Sequence, residues 1–243
     1  MVYNLSEMPN VSPVARELTP KNAEHLRRLA RRSVATPHEV LPPLPNSRYD
    51  IVYLDPPWYY YGSPIKDAAA GKHYPLMTVE QLASIEVRRI LNKNAAVFMW
   101  ATCPRLDFAL KLIEAWGLTY RGVAYVWVKI NRRGEIISGQ GVPPTFTKPT
   151  TELVLAATTK STGRPFPILD LAQPQVVLHS RGSHSEKPAI FRQRIEQLCG
   201  DRPRIELFAR SSAAGWDSWG AEVGKLDGGR SHKDGPVGVG AKG

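Results

Sequence analysis

The sequence predicts an α/β domain built on a largely parallel sheet, and three observations predict it. Short apolar runs rich in β-branched and aromatic residues alternate with segments whose apolar residues recur at helical spacing. The first such run closes on Asp55-Pro56-Pro57-Trp58, so a carboxylate stands at a strand's carboxyl end, where open α/β sheets carry their ligands. A length of 243 residues with 42% hydrophobic and 22% charged residues supports one well-buried core or two small ones.

The elements follow in order. From Thr19 to about Val34 the pattern predicts a helix, with Thr19 as cap, Pro20 in the first turn and Leu26, Leu29 and Ala30 as an apolar stripe. Its other face carries Lys21, Arg27, Arg28, Arg31 and Arg32, a solvated face on the ordinary reading and a nucleic-acid contact on the sharper one. Pro37, Pro42, Pro43 and Pro45 make an extended linker, so residues 1–48 read as a basic helix and a Pro-rich linker preceding a folded domain at 49–223. The last segment, 224–243, holds seven glycines without hydrophobic periodicity and is expected to be disordered.

Within the domain, Tyr49 to Leu54 is a strand and the two prolines after Asp55 force the chain off the sheet. Thr78 and Gln81 form a capping box for a helix near residues 79–91. Ala95 to Ala101 reads as a strand buried on both faces. Leu106, Ala109, Leu110, Ile113 and Trp116 recur at helical spacing until Gly117. Tyr120 to Ile130 and Glu152 to Thr158 read as two more strands, Pro188 to Leu198 as a helix ended by Gly200, and Arg204 to Phe208 as a strand.

Charge narrows the partners. The formal charge is +10 with a pI near 9.7, and residues 1–48 carry seven Lys/Arg against four Asp/Glu while 224–243 carry four against two. Removing +3 and +2 leaves +5 on the middle segment, so part of the basic bias belongs to the folded body and favours a nucleic-acid partner. Lys129, Arg132, Arg133 and Lys148 face only Glu135 between residues 129 and 148, making that loop a candidate substrate contact. Cys103 and Cys199 permit no disulfide framework and no zinc spacing, which fits a reducing compartment. No apolar run approaches a membrane span and no signal-peptide pattern is present, so a soluble protein is expected. His25, His38, His73, His179 and His232 have no metal-ligand spacing, so no metal is expected.

Asp55-Pro56-Pro57-Trp58 carries the chemistry. The exocyclic amine of adenine is a weak nucleophile because its lone pair is delocalised into the ring, yet it offers two N–H donors. The Asp55 carboxylate and the Pro56 carbonyl can accept both and release the lone pair. Both prolines hold that carbonyl in place, and Trp58 offers a flat face for an extruded base. A simple turn with a packed tryptophan is the bland alternative; the motif's place after a buried strand favours the functional one.

These motifs together resemble the MT-A family, typified by the catalytic subunit of the eukaryotic messenger-RNA adenosine methyltransferase. The carriers are Asp55-Pro56-Pro57-Trp58, a strand ending at Trp100, Ser183-His184 and Lys187-Pro188 before a helix ending Arg194-Ile195-Glu196-Gln197-Leu198, then Ile205-Glu206-Leu207-Phe208-Ala209-Arg210 and Gly215-Trp216-Asp217-Ser218-Trp219-Gly220. The resemblance runs from about Tyr49 to Val223 and implies a Rossmann-like class I fold with circularly permuted motif order, helices on both faces of the sheet and S-adenosylmethionine as methyl donor.

It further implies a catalytic Asp55 to Trp58, with Asp55, Lys148, His184, Glu206, Phe208, Arg210 and Glu222 around the cofactor; Tyr59, Tyr60, Lys129, Arg132 and Arg133 are the expected substrate contacts. Two departures stand out. Ala221 replaces the Asn common after the glycine of the last motif, and Ser185 and Glu186 separate His184 from Lys187. The expected activity is in-line N6-adenine methylation of DNA in the cytoplasm of a prokaryotic or virus-infected cell, by a chain able to pair with itself or a relative. An RNA adenosine methyltransferase and a catalytically silent nucleic-acid-binding scaffold are the alternatives.

Overall fold

Tyr49–Leu54 (β1), Leu91–Thr102 (β2), Thr119–Ile130 (β3), Thr151–Thr158 (β4), Val176–Ser180 (β5), Arg204–Leu207 (β6) and Asp217–Trp219 (β7) join one sheet in the order β5-β3-β4-β2-β1-β6-β7. They belong to a computed structural model that describes residues 41–58, 76–137, 147–163, 168–182 and 186–224. β1 runs parallel to β2 and β6, β6 to β7 and β3 to β5, whereas β4 is antiparallel to both β2 and β3. The expected α/β class with a mainly parallel sheet is present, and β4 is its one reversed strand among the described residues. The helix expected over Thr19 to Val34 and the glycine-rich tail lie outside the described residues.

Alternation along the strands divides the interior into two layers, because successive side chains point to opposite faces. Val52 and Leu54 of β1 and Val97, Met99 and Ala101 of β2 face the helices Val79–Ala83 (α1) and Leu106–Ala115 (α2), which contribute Leu82, Ala109, Leu112 and Ile113. Ile51 and Tyr53, with Phe98 and Trp100, face the helix Ile190–Cys199 (α3) and its Phe191, Ile195 and Cys199. β2 is buried on both faces because it lies between β1 and β4 with helices on either side.

Three expectations are corrected. The helix expected near 79–91 stops at Ala83; its capping box forms, with Gln81 N–H on Thr78 Oγ1 at 3.3 Å and Thr78 N–H on Gln81 Oε1 at 2.9 Å. Beyond it, Ile85, Val87 and Ile90 are all buried, and a short 3-10 turn at Val87–Ile90 seats them against the sheet where β-branched side chains disfavour a continued helix. Leu110, expected on the buried stripe of α2, is 37% exposed, while Leu112 takes the core position. β5 and β7 were not expected as strands; they are short and form the two edges of the sheet.

Candidate active site

β1 delivers Asp55 to the carboxyl end of the parallel strands. The turn after it is tight: Trp58 N–H donates to the Pro56 carbonyl at 2.8 Å, and Met77 N–H to the Pro57 carbonyl at 2.8 Å. Pro56 therefore keeps one lone pair for a further donor. Trp58 is 4% exposed and packs in the α1/α2 core, so its ring anchors the turn instead of lying open to a base.

The reversal of β4 brings a second carboxylate to the same end. Because β4 is antiparallel, its first residues lie level with the end of β2, with Glu152 opposite Thr102 and Trp127. Lys187, just before α3, bridges the two acids, its Nζ 3.0 Å from Asp55 Oδ2 and 3.0 Å from Glu152 Oε2. Lys129 near the end of β3 completes a line of alternating charge, its Nζ 2.6 Å from Glu152 Oε1. The line rests on aromatic rings, with Lys187 Nζ 5.2 Å from the Trp100 centroid and Lys129 Nζ 5.1 Å from that of Trp127.

Titration follows from this arrangement. A third of the Asp55 side chain reaches the surface, yet desolvation is its largest influence and, with Glu152 repulsion, holds its pKa above the usual carboxylate value against the attraction of Lys187. Burial also penalises the charged Glu152, but Lys187 and Lys129 together overcome it and hold its pKa low. Burial likewise opposes the charge of Lys187, and the two carboxylates override it and push its pKa up.

On the other side of Asp55, Glu206 of β6 stands opposite Tyr53 and accepts from Arg192 of α3 at 2.7 Å. Desolvation raises the Glu206 pKa despite Arg192. Phe208 follows in a left-handed conformation, φ 59°, with its ring edge-on to Trp219 at 5.5 Å. Arg210 Nε lies 3.4 Å from the buried Glu222 Oε2 and its charge is felt at Asp55. No group of three or more His, Cys, Asp or Glu able to hold a metal occurs among the described residues.

Pro56, Pro57, Trp58 and Lys129 are placed above; the other expected site residues separate into three sets. Asp55, Glu206, Phe208, Arg210 and Glu222 come together across β1, β6 and β7. Arg132 and Arg133 lie exposed in the turn after β3, and Lys148 lies exposed just before β4, at the same end of the sheet. Tyr59, Tyr60 and His184 lie outside the described residues. Glu152, Arg192 and the bridging role of Lys187 were not anticipated. A signal existed for one of them: Glu152 interrupts the start of an otherwise apolar buried strand, where an ionised group needs a partner.

A mainly parallel sheet with a carboxylate at the tip of an inner strand and acidic and basic groups ringing the same end has the architecture of a Rossmann-like methyltransferase. A family model described as MT-A70 matches residues 49–222, and the chain belongs to that family. It is 33% identical over 202 residues to the type II methyltransferase M.MunI of a Mycoplasma species, across 76% of this chain and 82% of that protein. It is 26% identical to the human N(6)-adenine-specific methyltransferase METTL4, across 76% of this chain and 40% of that protein. With the N6-methyladenosine RNA methyltransferase MTA1 of Cryphonectria parasitica the identity is 28%, across 73% and 52%.

Proposed function

We propose that this chain is an S-adenosylmethionine-dependent methyltransferase that methylates N6 of adenine in DNA. The observation that carries the reading is the Asp55 carboxylate, partly open at the carboxyl end of β1, beside a Pro56 carbonyl with acceptor capacity to spare. The names of METTL4 and MTA1 support adenine N6 as the target atom. The match to a type II methyltransferase over most of both chains favours DNA.

The residues present fit the methyl donor. Carboxylates at Asp55 and Glu206 can accept from hydroxyl and ammonium groups, Arg210 and Lys187 offer positive charge, and Gly220 packs against the Phe208 turn so closely that a Cβ there meets backbone at 3.0 Å. Lys148 and His184 are assigned to the same cofactor by the family motif. Bound S-adenosylmethionine supplies an electrophilic methyl group on a sulfonium.

The protein's own work is at the amine. Asp55 and the Pro56 carbonyl accept the two N–H donors, draw the nitrogen out of conjugation and aim its lone pair. Because desolvation raises its pKa, Asp55 is also a competent acceptor for the proton that the methylated nitrogen loses. Tyr59 and Tyr60, following Trp58 in sequence, are assigned to the base, and Arg132 and Arg133 to the phosphate backbone. If the substrate is duplex, extruding the base costs a few kcal/mol.

The test supplies labelled S-adenosylmethionine with DNA or RNA, digests the product and measures N6-methylated nucleosides. Label in deoxyadenosine is expected, and Asp55→Asn should abolish it while the variant stays folded and still binds the cofactor. Label in adenosine alone would assign RNA as substrate. Activity retained in Asp55→Asn overturns the mechanism, and nucleic-acid affinity without cofactor binding would mark a scaffold.

A further inference from the structure

Lys129 sits where a nucleic-acid contact is expected, but its ammonium is turned inward. Only 13% of the side chain is exposed, and it meets Glu152 Oε1 at 2.6 Å. Its backbone is fixed as well, with Lys129 N–H on the Thr150 carbonyl at 3.0 Å and Ile137 N–H on the Lys129 carbonyl at 2.9 Å. Reaching a phosphate means leaving both Glu152 and the Trp127 ring.

We propose that Lys129 is a positioning residue for the reacting carboxylate: by occupying one oxygen of Glu152, it leaves Lys187 shared between Glu152 and Asp55, and so keeps Asp55 ionised and oriented. The proposal rests on the reading of Asp55 as catalytic given above. Two ammonium groups and two carboxylates alternate along the line Lys129, Glu152, Lys187, Asp55, so the line carries no net charge. Without Lys129, two carboxylates compete for one cation in a place where water screens little. Glu152, only 15% exposed and the more buried of the two acids, has the stronger claim on Lys187. Asp55 then loses its counter-ion and takes up a proton at higher pH.

Other groups around Asp55 do not substitute for this linkage. Glu206 on β6 is a further negative charge, and Arg192 on α3 is taken up by it. Arg210, after β6, acts on Asp55 from the opposite side and is paired with Glu222. Among the described residues Lys187 is the one cation that forms an ion pair with Asp55, so what Lys187 does is set by how fully Glu152 is satisfied.

The experiment compares full-length wild type with Lys129→Met and Lys129→Arg, through the pH dependence of kcat/KM on a DNA oligonucleotide and the NMR titration of 13C-labelled Asp55 in substrate-free protein. In Lys129→Met the acid limb and the Asp55 titration should both move up by about one pH unit, which lowers the rate on that limb about tenfold with recovery as pH rises. KM for DNA should stay within about twofold, and Lys129→Arg should restore the profile. A raised KM for DNA with an unmoved acid limb and titration overturns the proposal and makes Lys129 a substrate contact. Should Lys129→Met fail to fold, Glu152→Gln decides: removing the repelling carboxylate must move the Asp55 titration down, and an upward or absent shift overturns the linkage. The NMR titration needs no turnover, so an inactive wild type would sink the proposed function without touching this test.

Discussion

Phe208 is the non-glycine residue with a left-handed backbone among those described, and its surroundings account for it. That conformation costs a bulky residue about 1–2 kcal/mol, so it persists only where neighbours enforce it. Here Ala209 N–H is held by the Trp219 carbonyl at 3.0 Å, and the ring packs on Trp219. Gly220 closes the device, since a Cβ there lies 3.0 Å from Ala209 N and O and 3.1 Å from Phe208 C, all backbone atoms that cannot swing away. The turn joins Glu206 to Arg210, so its shape sets how both face Asp55. Gly220→Ala is therefore expected to cost about 1–3 kcal/mol, as overpacking does, and to weaken cofactor binding. Thermal unfolding and a calorimetric titration with S-adenosylmethionine check this; an unchanged Tm with full affinity would remove Gly220 from the account. Nucleic-acid affinity of the same variant should not change.

At the scale of elements, α3 and β4 hold the charged line in place. Phe191 of α3 is fully buried, and its ring meets Trp100 at 4.7 Å, Tyr125 at 6.0 Å and Trp127 at 6.4 Å in edge-on contacts. The indoles of Trp100 and Trp127 are the surfaces over which Lys187 and Lys129 lie, so the ring packing fixes the floor of the site. Phe191→Ala should destabilise the fold by about 3–5 kcal/mol, the range for emptying a buried aromatic position. A urea titration followed by tryptophan fluorescence measures that loss, and a change below about 1 kcal/mol would show that the cluster repacks freely. β4 matters through its direction. Were it parallel to β2, Glu152 would sit at the far end of the sheet and Lys187 would have Asp55 alone.

Across the molecule, charge is distributed in keeping with a polyanionic partner. The chain carries +10, and at the carboxyl ends of the strands Arg132, Arg133 and Lys148 are exposed beside Arg181, which follows β5, with Glu135 in the same turn as the two arginines. Exposed cations of this kind act on phosphates through counter-ion release, so their effect fades with salt. Replacing Arg132 and Arg133 by Glu is expected to weaken DNA binding uniformly across sequences and to reduce the salt slope by at least about two, one for each lost contact. Fluorescence anisotropy over a salt series reads the slope, and an unaltered slope would move the nucleic-acid path elsewhere. Cofactor affinity should not respond.

Much of this was readable from local pattern. The capping box at Thr78 and Gln81, the doubly buried run from Ala95 to Ala101, the stop at Gly117 and the place of Asp55 after a strand are each decided by residues a few positions apart. Local rules reach that far because propensity, capping and periodicity are near-neighbour effects. The edge strands β5 and β7 escaped because three to five residues carry little periodicity and are fixed by the strand they pair with. Trp58, legible as a flat exposed face, is buried because Met77 and the α1/α2 layer close over it. Local pattern alone was enough for the α/β class, for Asp55-Pro56-Pro57-Trp58 at the end of a strand and for the basic character of the chain. That Lys129, Glu152, Lys187 and Asp55 form one line was a matter of long-range packing: residues up to 132 positions apart meet there through the reversal of β4, and local sequence marks Glu152 as an acid in need of a partner without saying which partner it finds.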